Sequence, residues 1–269
     1  MYGDAPIVCH HDFRRSSLPL AEFPPHVSFV RPHVRTRWGS HSLVEATLRG
    51  IAQLFDGRHA PEWFVLLSGT DYPIRPAADV LADLQSSNCD AWIQHRLVDP
   101  ATSRTELDRR AARWFYAKRL WLPLCTRRLR PAWKAIACHN PWILRQLGPY
   151  SDRLRCYYGS QWFAANARAA AEITAFGQRN RSLLRHCRHT WHPAEMYFNT
   201  VLAGAEGLTI RDQNFRYLDW TGGGPHPKTL GHEDVPAMLD SGCHFARKLP
   251  WDEPLLDLID AAVDAATVQ

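Results

Sequence analysis

Residues Trp63-Phe64-Val65-Leu66-Leu67 form an apolar run without alternation, and the polar, tightly turning stretch Ser68-Gly69-Thr70-Asp71-Tyr72-Pro73 follows at once. A strand with no polar face has both faces covered, the pattern of a strand inside a parallel α/β sheet. In open sheets of that kind ligands collect beyond the carboxyl ends of the strands, so the loop that carries Ser68, Gly69 and Asp71 stands where a ligand is expected. The neighbouring segments fit the same class. Pro6 to His11 and Val27 to Val30 are short apolar runs that read as strands. Ser42 and Glu45 have the spacing of a capping box, opening a helix that carries Leu43, Leu48, Ile51, Leu54 and Phe55 and ends at Gly57. Pro76 starts a helix through Leu84, and Ala91-Trp92-Ile93 reads as the next strand. The order predicts an α/β domain.

In the second half, Tyr157 to Phe163 leads into an alanine-rich helix from about Asn166 to Phe176. His192 to Leu202 reads as a buried helix with Pro193 at its first position, where the missing N–H is no loss. Glu195 then falls in the first turn, near the positive end of the helix dipole, while Met196, Phe198, Val201 and Leu202 bury the rest. An ionised, positioned carboxylate is what a general base requires. The alternative is that Glu195 only satisfies free N–H groups of its own helix. Leu208 to Ile210 and Phe215 to Trp220 read as strands, Thr221 to Lys228 as a loop, Glu233 to Leu239 as a short helix, and Asp252 with Pro254 as the start of a last one.

A chain of 269 residues, 45% of them hydrophobic, can bury a sizeable core, and a single domain over 1–269 is expected. No stretch approaches the length of a membrane span, and the start lacks the order of a signal peptide, which predicts a cytoplasmic protein. The seven cysteines show no C-x-x-C spacing and read as reduced thiols. The net charge of +5 suits an anionic substrate, an acidic membrane surface or nucleic acid. Within an insertion at about 105–150, Arg109 to Lys134 holds nine basic residues and five aromatics. That segment reads either as a solvated helical insertion that buries its aromatics, or as an interfacial membrane segment or surface for an anionic polymer.

Metal motifs are weak. His192 and Glu195 lack a second histidine at metal spacing, and His186, Cys187, His189 and His192 crowd one short segment that reads as a polar loop. Gly222-Gly223-Gly224 is not followed by the lysine and helix of a P-loop. No Asp-x-Asp pair occurs to hold a divalent cation against a diphosphate, so arginine and lysine must neutralise that charge, and Arg247-Lys248 offers two cations.

The ordered series His11-Asp12, Trp38-Gly39-Ser40 with Ser42, Leu67 to Pro73, Gly159-Ser160-Gln161-Trp162, His192-Pro193-Ala194-Glu195, Asp219-Trp220, Pro225-His226-Pro227-Lys228 and Phe245-Ala246-Arg247-Lys248 resembles the motifs of the core-2/I-branching β-1,6-N-acetylglucosaminyltransferases and peptide O-xylosyltransferases. The likeness is greater to bacterial members, since eukaryotic ones carry a membrane anchor. The resemblance implies a GT-A-like nucleotide-sugar-binding sheet with flanking helices. It implies inverting, metal-independent transfer of N-acetylglucosamine or xylose from a UDP-sugar to a glycan, glycolipid or protein hydroxyl, with no cofactor. On it, Glu195 is the catalytic base, and Lys248, with Arg247, binds the donor diphosphate in the C-terminal segment 219–269. Family position and residue type add Asp71, Ser68, Gly69, Ser160, Trp162 and Trp220 as sugar contacts and Asp12 as a nucleotide contact. Family members usually open with a further strand and helix that help hold the uracil, and here the sequence begins almost at Asp12, so weakened donor binding is an expectation unless residues lie upstream. Peripheral contact with an anionic membrane fits the basic segment, and nucleic acid is not expected as a partner. A second reading is a non-catalytic truncated homologue that binds a membrane or polyanion.

Overall fold

The computed structural model describes residues 3, 5–57, 60–98, 149–151, 153–188, 190, 192–224 and 226–267, together with the backbone of two short strands at 114–116 and 135–137. In chain order the elements are β1 (Ile7–Cys9), β2 (Val27–Phe29), α1 (His41–Phe55), β3 (Trp63–Val65), β4 (Asp71–Pro73), α2 (Ala77–Gln85), β5 (Ala91–Leu97), β6 (Trp114–Tyr116), β7 (Ala135–Ala137) and β8 (Tyr157–Asn166). Then come α3 (Ala167–Arg179), α4 (Arg181–Cys187), α5 (Ala194–Ala203), β9 (Ile210–Arg211), β10 (Arg216–Leu218), α6 (Val235–Asp240), β11 (Phe245–Arg247) and α7 (Glu253–Thr267). The fold is mixed α/β, with helices flanking a four-stranded sheet of order β3-β8-β5-β9 and a three-stranded sheet of order β10-β11-β4. The basic aromatic insertion, Arg109 to Lys134 included, lies outside the described residues apart from the β6 and β7 backbones and residues 149 and 150. Among the described residues no helix is long and apolar enough to cross a membrane.

The apolar run at Trp63 is a strand, but not a parallel one. Both β3 and β5 run antiparallel to β8 between them, and β9 alone in that sheet pairs in parallel, with β5. Alternation is missing because both faces are covered, whatever the strand direction. Phe64 joins a core with Val44 and Ile51 of α1, Ile173 of α3 and Phe198 and Leu202 of α5, whereas Trp63 and Val65 pack on Val80, Leu84 and Trp92 on the other side. Three further expectations need correction. Ser40, not Ser42, caps α1, its side chain accepting from the Ser42 N–H, and Glu45 pairs instead with Arg49 at 2.6 Å. Asp71 to Pro73, read as loop, is a strand, paired antiparallel to β11. His186 and Cys187 are buried on α4 rather than set in a polar loop.

Glycine is required where β8 crosses β5. A Cβ on Gly159 would lie 2.0 Å from the Gln94 carbonyl oxygen and 2.8 Å from His95 Cα, beside the register shift between Ile93 and His95. Gly159→Ala is therefore expected to destabilise the fold by about 3 kcal/mol, at the upper end for overpacking. Urea denaturation should show a lowered midpoint at unchanged slope.

Candidate active site

Eight of the ten residues of α5 are buried, and Glu195 in its first turn is the exception that faces outward near the helix start. Its side chain is 26% exposed, enough to meet a ligand. The Tyr158 hydroxyl donates to Glu195 Oε2 at 2.8 Å, and the Arg96 guanidinium lies 5.3 Å from the centre of the Tyr158 ring. His192 Nδ1 is 3.8 Å from Glu195 Oε1. The turn before the helix is fixed by a distant loop: the His192 N–H donates to the Gly39 carbonyl at 3.0 Å, with His192 at φ 51°. Gly39 has φ +67°, and a Cβ there would lie 3.4 Å from the His192 ring, so a glycine suits the site twice over. The Trp38 ring meets His192 edge-on at 4.5 Å and His226 at 5.6 Å, and Trp38 remains 58% exposed. Trp38-Gly39-Ser40, His192 to Glu195 and His226 thus converge from three parts of the chain around one carboxylate.

A second cluster sits where β4 and β10 flank β11. Asp71 Oδ1 accepts from Arg216 Nε at 2.7 Å, and Asp71 Oδ2 accepts from Arg247 Nη1 at 3.2 Å and from the Ser68 N–H at 2.6 Å. Ser68 Oγ bonds to both Asp71 and Arg247, and Arg247 also donates to Thr70 Oγ1 at 3.0 Å. The Asp71 side chain has no exposed surface. Its oxygens are taken up by two arginines and the Ser68 N–H. The Trp162 ring carries the Arg247 guanidinium, 4.5 Å from its centroid, and Arg216 at 5.6 Å. Lys248 follows Arg247 and is half-buried. Burial, and then the Arg247 charge, holds its pKa below the ordinary lysine value. Among the described residues no carboxylate pairs with it.

One set of hydrogen bonds joins the two clusters. Asn199, one helical turn beyond Glu195, donates to the Glu195 carbonyl at 2.9 Å and to the Ser160 carbonyl at 2.8 Å. Ser160 Oγ accepts from the Trp162 N–H at 3.0 Å and from Asn214 Nδ2 at 3.1 Å, and Asn214 Oδ1 accepts from the Arg216 N–H at 3.1 Å. Ser160 is thus a joint of the frame. Gly69 lies exposed in the turn before β4, and Trp220, 53% exposed, lies two residues past Leu218, which pairs with Arg247. Asp12 stands apart. Burial would raise its pKa, but the Arg14 and Thr36 N–H groups with His33 and Arg15 bring it below the usual carboxylate value. Among the described residues no three His, Cys, Asp or Glu side chains converge as metal ligands.

Tyr158, Asn199, Asn214 and Arg216 belong to this frame and were not singled out in the sequence. Asn199 had a signal, a polar residue four positions after Glu195 in an apolar helix. The other three reach the site only through tertiary contacts between elements far apart in the chain.

The family model described as "Core-2/I-Branching enzyme" matches residues 9–239, which includes Glu195 and leaves Arg247 and Lys248 beyond the match. Two curated relatives from Arabidopsis thaliana are similar. Beta-glucuronosyltransferase GlcAT14B is 25% identical over 240 residues, covering 82% of this chain and 48% of the relative. Beta-glucuronosyltransferase GlcAT14A is 25% identical over 225 residues, covering 81% and 46%. The chain therefore spans about half the length of these relatives. With a family model covering most of its length and the motif residues gathered around Glu195, this chain belongs to the Core-2/I-Branching enzyme family.

Proposed function

We propose that the chain is an inverting glycosyltransferase that moves a sugar from a UDP-sugar to an acceptor hydroxyl without a metal. The observation that carries this reading is the single hydrogen-bonded frame from Glu195 through Asn199, Ser160, Asn214 and Arg216 to Asp71 and Arg247. A base and the Arg247 cation, next to Lys248 in the chain, are thereby held on one support, as transfer from a diphosphate demands. Glu195 takes the acceptor proton as that oxygen attacks C1. The bond from C1 to the diphosphate breaks, UDP leaves on the opposite face, and Arg247 and Lys248 offset its growing charge. The exposed rings of Trp38, beside His192, and of Trp220 suit the flat faces of sugars. N-acetylglucosamine and xylose remain donors of the reading, and the names of the two relatives add glucuronate.

The test is thermal stabilisation across these UDP-sugars followed by UDP release. A donor at about 100 times its dissociation constant adds roughly 2.7 kcal/mol of stability. UDP release should persist in EDTA, and Lys248→Ala should weaken UDP binding by about 1.5 to 3 kcal/mol. Loss of release in EDTA with recovery in manganese would overturn the metal-free mechanism. A chain that binds UDP-sugars and never releases UDP is a binding module.

A further inference from the structure

The short helix α4 buries Leu183, His186 and Cys187 and presents Arg181 and Arg185 to solvent, with its exposed C-terminal cap Arg188 continuing the spacing of the same face. Elsewhere Arg49, Arg75, Arg168, Arg179 and Arg216 each have a carboxylate partner. Among the described residues no carboxylate pairs with Arg181, Arg185 or Arg188. Two other segments meet this face at the C-terminal end of α4. Arg155, exposed, precedes Cys156, which is buried in the same core cluster as Cys187 at the end of α4. At the same end, burial and then the Arg188 charge lower the pKa of His41, the first residue of α1 and two positions from Gly39. The Gly39 carbonyl binds the His192 N–H, and Trp38 packs on the His192 ring. Arg188 also stands only four positions before His192, so the row of guanidinium groups leads from α4 toward the rim of the Glu195 site.

We propose that this row is an acceptor-binding surface for an anionic glycan, whose carboxylate or sulfate groups lie on Arg155, Arg181, Arg185 and Arg188 while a hydroxyl further along the chain reaches Glu195. The inference rests on the transferase reading and names its acceptor class. Guanidinium groups match such oxyanions in a planar, two-pronged manner, and a line of them leading to a catalytic carboxylate suits a chain better than a single sugar. Placing the anions on α4 also keeps negative charge off Glu195 itself, which must remain free to take a proton.

The test is equilibrium binding of the full chain to polygalacturonate, to neutral dextran, and to vesicles of mixed phosphatidylcholine and phosphatidylglycerol, at low and high salt. Polygalacturonate should bind and dextran should not, and salt should weaken the binding. The triple variant Arg181→Gln, Arg185→Gln, Arg188→Gln changes exposed side chains only, so its melting temperature and its UDP affinity should stay those of wild type. Its affinity for polygalacturonate should fall roughly tenfold or more, since three cations leave one face. Full affinity in the triple variant, or vesicle binding without polysaccharide binding, overturns the proposal. Neither result touches the transferase reading, which stands or falls on UDP release with donor alone.

Discussion

Glu195→Gln is expected to bind UDP-sugars as the wild type does and to transfer sugar roughly 100-fold more slowly or worse. The substitution is nearly isosteric, and the Tyr158 hydroxyl, 2.8 Å from Oε2 in the native protein, can still donate to the amide oxygen. The buried face of α5, from Met196 to Leu202, is untouched. What the amide lacks is the ability to accept a proton from the acceptor. A drop in turnover without a drop in donor affinity therefore separates a base from a helix-start carboxylate with a purely structural role, which would lower stability and leave turnover per folded molecule as it was.

The second large effect is expected at Asp71. Neither the Asp71 nor the Arg216 side chain has exposed surface, and burial already pushes the Arg216 pKa down against the pull of Asp71. Asp71→Asn removes the one carboxylate that holds this guanidinium and Arg247 together. Breaking a buried pair by deleting one partner costs about 3 to 5 kcal/mol, a large share of the roughly 5 to 15 kcal/mol that keeps a domain folded. The variant should unfold at a clearly lower urea concentration, and the fraction that folds should bind UDP less tightly because Arg247 has lost an anchor. A change of less than about 1 kcal/mol would mean that the pair is hydrated and that Arg247 is positioned by Ser68 and Thr70 instead.

Much of this was legible from local pattern. The helices at His41, Ala77, Ala167 and Ala194 follow from apolar spacing and punctuating residues, and Glu195 follows from being the lone acid at the start of an apolar helix. Strand direction was not legible, because the unbroken apolar run at Trp63 reports cover on both faces and carries no record of which way β8 runs beside it. Asp71 was legible as a polar residue just past a buried strand, but its partners were not. Its partners Arg216 and Arg247 lie 145 and 176 positions away, beyond the reach of any local spacing. Tyr158 shows the same limit. Its ring position on β8 is an ordinary strand residue in the sequence, and only the packing of β8 against α5 brings its hydroxyl to Glu195.

The central claim, in-line displacement driven by Glu195, is tested most directly by proton NMR of the sugar set free when the chain slowly hydrolyses its UDP-sugar with no acceptor present. Wild-type protein should release the β-anomer first from the α-linked donor, before mutarotation, and Glu195→Gln should release sugar roughly 100-fold more slowly or not at all. Initial release of the α-anomer, or equal rates from the two proteins, would contradict the account.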